Sequence, residues 1–124
     1  MSREKQRGTA FETAVVRYLR HTFEDDRIDR MPLHGKRDVG DVSGIYRAGK
    51  RVVVECKSYS GRDRMAQWLN EAELERGNAD ALAGVVVSKR RGVGISTRYG
   101  MGQQLVTMTL QDFASLIAGE RMEA

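Results

Sequence analysis

Arg37-Asp38-Val39-Gly40-Asp41-Val42-Ser43-Gly44-Ile45-Tyr46-Arg47-Ala48-Gly49-Lys50-Arg51-Val52-Val53-Val54-Glu55-Cys56-Lys57 reads as two strands around a tight turn. The second strand is a valine run that ends abruptly in a carboxylate and an ammonium two residues apart. Side chains alternate along a strand, so Glu55 and Lys57 share a face with Val53, and Cys56 faces the other way. A charged pair at the end of an apolar run costs free energy unless it is solvated, paired or bound to a metal. With a three-residue loop at Ala48-Gly49-Lys50, Arg47 lies opposite Arg51, Ser43 opposite Glu55 and Asp41 opposite Lys57. Diagonal neighbours on such a ladder are roughly 7–8 Å apart, so Asp41, Glu55 and Lys57 converge on one patch. A two-residue turn shifts the register by one and sends Asp41 to the Cys56 face. Convergence therefore requires an odd-length loop, or a bulge with the same effect. The alternative is a strand pair ending in a solvated salt bridge.

Two carboxylates and the backbone carbonyl of Cys56 are hard oxygen ligands suited to Mg²⁺ or Mn²⁺. A divalent ion there can polarise a phosphodiester, with Lys57 beside it to orient water or offset developing charge. Two histidines and one cysteine leave no zinc cluster to compete. Upstream, residues from about Thr9 to Phe23 fit an amphipathic helix with Val15, Val16, Leu19 and Phe23 on one stripe. Glu12 falls in the middle of that stripe, where a carboxylate is unusual. It is either a first-turn acid favoured by the helix dipole or a fourth member of the site.

Arg7-Gly8-x-x-Phe11-Glu12 opening a helix, then Gly40-Asp41, then Glu55-Cys56-Lys57 after a valine run, resembles the PD-(D/E)XK nuclease superfamily. Within it, the order and compactness are most similar to the archaeal-type Holliday junction resolvases and their phage relatives. The resemblance covers about Arg3 to Leu110. It implies Asp41 and Glu55 as metal ligands, Lys57 as the catalytic lysine, and Glu12 as the helix carboxylate that completes the metal and water site. The chain departs from the archaeal enzymes just before the motif Asp, where they carry a small serine-bearing segment. Met31-Pro32-Leu33-His34-Gly35-Lys36-Arg37 stands there instead, followed by an extra Asp38 that is an alternative ligand. Lys36 and Arg37 are candidate DNA contacts.

The rest of the chain suits that reading. Its 124 residues, 40% hydrophobic, are enough for one domain and too few for two. A formal charge of +4 and a pI near 9.5 favour a polyanionic partner. Residues 81–111 contain no acid but hold Lys89, Arg90, Arg91 and Arg98. Those four sit in a glycine-rich stretch expected to be a mobile, phosphate-tracking loop, with a functionless solvated loop as the alternative. Arg3, Lys5 and Arg7 form a second basic element, or else a disordered tail. The Gly-x-Gly fragment at Gly92 is too short for a dinucleotide fingerprint, so no nucleotide cofactor is expected. No apolar run suggests a membrane span and no apolar signal region follows Met1, so the chain reads as cytoplasmic.

Arg64 to Arg76 is expected as a helix with Met65, Trp68, Leu69 and Ala72 on one face, stopped by Gly77-Asn78. Leu82–Ser88 reads as a buried parallel strand, and Leu105–Thr109 reads as a further strand. Thr109 and Asp112 have the spacing of an N-cap pair before Phe113, Leu116 and Ile117, and Gly119 to Ala124 reads as a frayed end. The expected fold is α/β, restriction-endonuclease-like, with a mixed central sheet flanked by helices. The expected activity is a Mg²⁺-dependent, structure-selective DNA endonuclease acting in recombination or repair. Symmetric cutting of a four-way junction needs two active sites, so the resemblance implies a C₂ homodimer. Another nuclease of the superfamily (restriction-like, repair or ssDNA-end) uses the same residues, and a DNA-binding module that no longer cuts is the remaining alternative.

Overall fold

The structure is a computed structural model that describes residues 2–32 and 37–123, so His34 and Lys36 lie outside the described residues. Ser2 caps the first helix, its hydroxyl accepting from the backbone N–H of Lys5 at 3.2 Å. α1 therefore runs from Arg3 to Phe23, starting earlier than the apolar stripe suggested. Arg3, Lys5 and Arg7 project from its exposed first turns rather than from a disordered tail. Two short strands follow, β1 (Asp29–Arg30) and β2 (Val42–Ser43), then β3 (Tyr46–Arg47) and the long β4 (Lys50–Lys57). β1 went unread in the sequence because two exposed residues carry no alternation.

The hairpin differs from the expected one. Tyr46 pairs with Arg51 and Arg47 with Lys50 around a two-residue Ala48-Gly49 turn. Both turn residues have positive φ, 54° and 79°, the backbone of a primed hairpin turn. The loop is thus even, yet Val42 still pairs with Val54. One extra residue on the first strand, at the Gly44-Ile45 break, restores the parity. Gly44 is required there, since its φ is 88° and a Cβ would come within 2.8 Å of the Arg27 carbonyl oxygen. The bulge places Asp41 beside Glu55 and the backbone of Cys56, not opposite Lys57.

After β4 the chain crosses through α2 (Met65–Ala79) to β5 (Ala83–Ser88), which pairs parallel to β4. α2 passes through Gly77-Asn78 and ends at Asp80, whose left-handed backbone closes it. A short α3 (Arg98–Gly102), an antiparallel edge strand β6 (Leu105–Thr107) and α4 (Leu110–Ala118) complete the described chain. Thr109 caps α4, accepting from the Asp112 N–H at 3.1 Å.

The result is an α/β fold with a mixed, open sheet in the order β1-β2-β4-β5-β6, β3 pairing separately with β4. Val52, Val54 and Val85 face α1 and join Phe11, Val15, Val16 and Ile28 in the main core. On the other face Val86 packs on Trp68 and Ala72 of α2. The C-terminal stretch is pinned rather than frayed. Arg121 forms an ion pair with buried Asp112 at 2.5 Å and also donates to the Leu82 carbonyl. Among the described residues no helix is long and apolar enough to cross a membrane.

Candidate metal and phosphodiester site

Gly40 lets the chain reach the site. Its φ is 100°, and a Cβ would press to 3.0 Å from Val53 and 3.1 Å from the Val54 carbonyl oxygen. Asp41 follows with its N–H on the Val54 carbonyl at 2.8 Å. Its Oδ2 accepts from the Cys56 N–H at 2.7 Å, replacing a ladder bond with a side-chain bond. One carboxylate oxygen is thus fixed by the backbone and the other is left to face Glu55 or a ligand.

Glu55 projects from β4 toward α2 and is buried, 6% exposed. There it meets two acids. Ligand oxygens of Asp38, Glu55 and Glu75 lie within 4.8 Å of one another. Asp38 is positioned by its own turn, accepting from the Gly40 N–H at 3.0 Å, and by Asn78 of α2, whose amide donates to its carbonyl at 2.9 Å. Asn78 therefore ties the loop to α2 instead of ending the helix. Glu75 is 3% exposed, and its Oε1 has no hydrogen-bond partner among the described residues.

Burial and crowding decide the protonation of this group. Burial pushes the Glu55 carboxyl up to about 12, helped by hydrogen bonding to Asp41 and Glu75 and by their charges. Burial also raises Glu75, to about 7; its hydrogen bond with Glu55 pulls down, while Asp38 and Asp41 push up. Without a cation the cluster holds a proton at neutral pH, because like charges this close cannot all ionise.

Glu12 approaches from α1. Burial raises its carboxyl first and Asp41 second, while Arg30 of β1, 3.8 Å away, pulls the other way. Its charge therefore reaches Asp41 rather than standing alone at a helix start. Lys57 points to α2, where Glu71 accepts from its Nζ at 2.9 Å and the Trp68 ring lies 5.5 Å away. Burial would lower the Lys57 ammonium, but Glu71, then Glu55 and Asp41, raise it on balance, so it stays charged. Cys56 faces the α1-side core, and burial, then Asp41, Glu12 and Glu55, push its thiol up. A thiol so placed is packing, not a nucleophile.

Sequence reading missed Glu75 and Glu71, and held Asp38 only as an alternative. Glu75 was recoverable: it lies three residues beyond Ala72 and seven beyond Trp68, on the same buried stripe.

The basic residues divide into two places. Lys89 donates its N–H to the Lys57 carbonyl at 3.0 Å, so Lys89-Arg90-Arg91 begins at the sheet end that carries Glu55 and Lys57. Arg37 is exposed beside Asp38. Arg98 instead lies on α3 against α1 and meets His21. The segment between is not the open loop expected from its glycines. The Gln104 side chain laces it together, donating to the Gly94 and Gly100 carbonyls at 3.2 and 3.0 Å and accepting from the Arg90 N–H at 2.7 Å. Hard oxygen donors this close together are chemically suited to a divalent cation. No family model, curated protein or solved structure matches the chain.

Proposed function

We propose that the chain is a metal-dependent DNA endonuclease with a restriction-endonuclease-like fold, cutting branched DNA in the manner of a Holliday junction resolvase. One observation carries the reading. Glu55 gathers with Asp38 and Glu75 at the end of the strand that also presents Lys57, with Asp41 beside Glu55 and Glu12 within electrostatic reach of Asp41.

The residues fit a Mg²⁺ or Mn²⁺ ion on their own chemistry. Glu55 and Glu75 are buried together, and the Oε1 of Glu75 has no partner among the described residues, a costly arrangement that a cation offsets. Asp41, Glu55, Asp38 and Glu75 would hold it. When bound, the ion would neutralise phosphate charge and acidify a water. Lys57, kept charged by Glu71, supplies a fixed cation to the scissile phosphate. Asp41 keeps one oxygen on the Cys56 amide and so presents the other in a set direction. Glu12 adds negative charge next to Asp41 from the α1 side. Lys89, Arg90, Arg91, Arg37 and the α1 residues Arg3, Lys5 and Arg7 supply phosphate contacts around it.

Cutting both strands of a junction needs two such sites, hence a homodimer. A run of exposed apolar side chains supports it: Leu105 and Val106 on edge strand β6 continue into Leu110, Phe113 and Ile117 of α4. The test is cleavage of end-labelled four-way junction, fork, duplex and single strand side by side with Mg²⁺. Paired symmetric cuts in the junction, lost on chelation, are expected. Equal cutting of duplex replaces the resolvase reading with a general nuclease, and binding without cutting on any substrate overturns the enzyme.

A further inference from the structure

On the flank of α1 that turns away from the sheet, Ala14, Arg17, Tyr18 and His21 follow one another at helical spacing. They face Ile95, Ser96, Thr97, Arg98 and Met101 across a cavity of about 230 Å³. We propose that this cavity is a subsite for the phosphate monoester of a nucleoside, most simply the phosphorylated end of a DNA strand.

The chemistry of the walls selects the ligand. Arg17, His21 and Arg98 ring the opening, while Ala14, Ile95 and buried Met101 form an apolar floor. Among the described residues neither Arg17 nor Arg98 has an acidic partner within 4.0 Å. The guanidinium of Arg98 instead meets Nε2 of His21, a ring nitrogen that can accept its hydrogen bond. An anion adds acceptors for the remaining N–H groups of Arg98 and for those of Arg17. Thr97 Oγ1 accepts from the Gly100 N–H at 3.0 Å and keeps its own proton to donate. Two guanidiniums, an imidazole and a hydroxyl suit a dianionic phosphate better than the single charge of a diester.

Size and surroundings extend the assignment. The cavity is below the roughly 300–1,000 Å³ of pockets that enclose drug-sized ligands, so it holds a phosphate and its sugar and leaves the base outside. An adjoining hollow, sharing Tyr18 and Arg98, is lined also by Tyr99, Gly102 and Gln103. Tyr99 is 78% exposed there, a bare ring on which a base can stack. On the opposite side Arg17 and His21 border a hollow that contains Glu24 and Asp26. Arg20 lines that hollow too, so its charge is mixed, and the bare ring of Tyr99 is what favours a strand leaving on the other side. The carboxylate cluster lies on the α2 face of the sheet, away from this pocket, and the assignment does not rest on the nuclease reading.

The experiment measures binding of a 5′-phosphorylated oligothymidine and its 5′-hydroxyl twin to the intact protein, with chelator present and salt fixed. The phosphorylated strand should bind about tenfold more tightly, the scale of a charge-assisted contact to one added phosphate. Arg17→Gln with Arg98→Gln should erase the difference between the twins, and Glu55→Gln should keep it. Tyr99→Ala should weaken both oligonucleotides but leave inorganic phosphate binding unchanged. If thymidine 5′-monophosphate binds as tightly as the phosphorylated strand, the ligand is a free nucleotide; if it needs the longer strand, the ligand is a DNA end. Both outcomes keep the monoester subsite. Equal affinity for the twins, or a difference that survives the double substitution, overturns it.

Discussion

Two helices bring glutamates toward the carboxylates of the strand end, one from each face of the sheet; Glu75 joins the cluster, whereas Glu12 acts on Asp41 from outside it. Glu12 of α1 is partly solvated, its side chain 22% exposed, and Arg30 lies near it. Glu75 of α2 is buried against Asp38 and Glu55, with an oxygen that no described residue satisfies. The first is comfortable without a metal and the second is not. The α2 side of the sheet is therefore where a cation gains most, although the order of residues along the chain draws attention to α1. Water that reaches Glu12 screens it from its neighbours, whereas the low-dielectric side passes the full cost of repulsion to Glu75.

The largest effects should come from the two carboxylates that belong to both sides. Asp41→Asn and Glu55→Gln should each lower junction cleavage by about 10²–10³-fold, the usual loss when a preorganised charge at a reacting phosphate is removed. Junction affinity should hardly change, since it comes mainly from phosphate contacts elsewhere. Lys57→Ala should behave alike, and Glu71→Gln more mildly, because Glu71 only holds the ammonium at 2.9 Å. Single-turnover cleavage beside filter binding checks this set. Full activity in Glu55→Gln would move the reaction away from β4 altogether.

A smaller but more diagnostic effect belongs to Glu75. Its folded-state carboxyl is raised to about 7, so folding favours the protonated form. That contribution to stability is complete below the unfolded value, near 4.5, and is lost as pH rises through about 7. Metal-free protein should therefore lose melting temperature between those limits, and Mn²⁺ should restore it at pH 8. Glu75→Gln imitates the protonated form. It should flatten the pH slope, raise the metal-free Tm at pH 8 by several degrees and shrink the Mn²⁺ response. Thermal melts across pH, with and without Mn²⁺, measure all three. An unchanged Mn²⁺ response in Glu75→Gln would return the ion to the Glu12 side.

Much of this geometry is legible in the sequence, and the parts that are not share a cause. The valine run, the Glu-x-Lys ending and the stripe of α1 are local periodicities, and they locate the strand, the helix and three of the carboxylates. The crossover from β4 through α2 to a parallel β5 follows from the same patterns. The hairpin register did not, because Ala48 accepts a left-handed backbone that its residue type disfavours, and a glycine bulge then corrects the parity. Glu75 fell inside the expected helix but was passed over beside the apolar residues of its stripe, and Gly77-Asn78 read as the helix stop. Only the contact of Asn78 with Asp38, 40 positions earlier, explains why the helix continues. Gln104 and Arg121 are similar cases: each fixes a segment that composition alone calls loose. Long-range side-chain to backbone bonds leave no period to read.

The smallest of the three effects should come from Glu12. Burial and Asp41 raise its carboxyl, but Arg30 opposes them and solvent reaches the side chain. Removing its charge leaves Asp41 anchored on the Cys56 amide and Glu55 among its α2-side neighbours. Glu12→Gln should therefore slow cleavage by about tenfold, mainly by weakening the local field, with Mn²⁺ stabilisation nearly intact. Arg30→Gln should act in the same sense at acid pH, raising the Glu12 pKa further and shifting the acid limb of the cleavage profile to higher pH. Rate against pH for the two variants separates a field effect from ligation. If Glu12→Gln removes the Mn²⁺ response while Glu75→Gln keeps it, the roles of the two helices are the reverse of those drawn from burial, and solvation is not what selects the ligands.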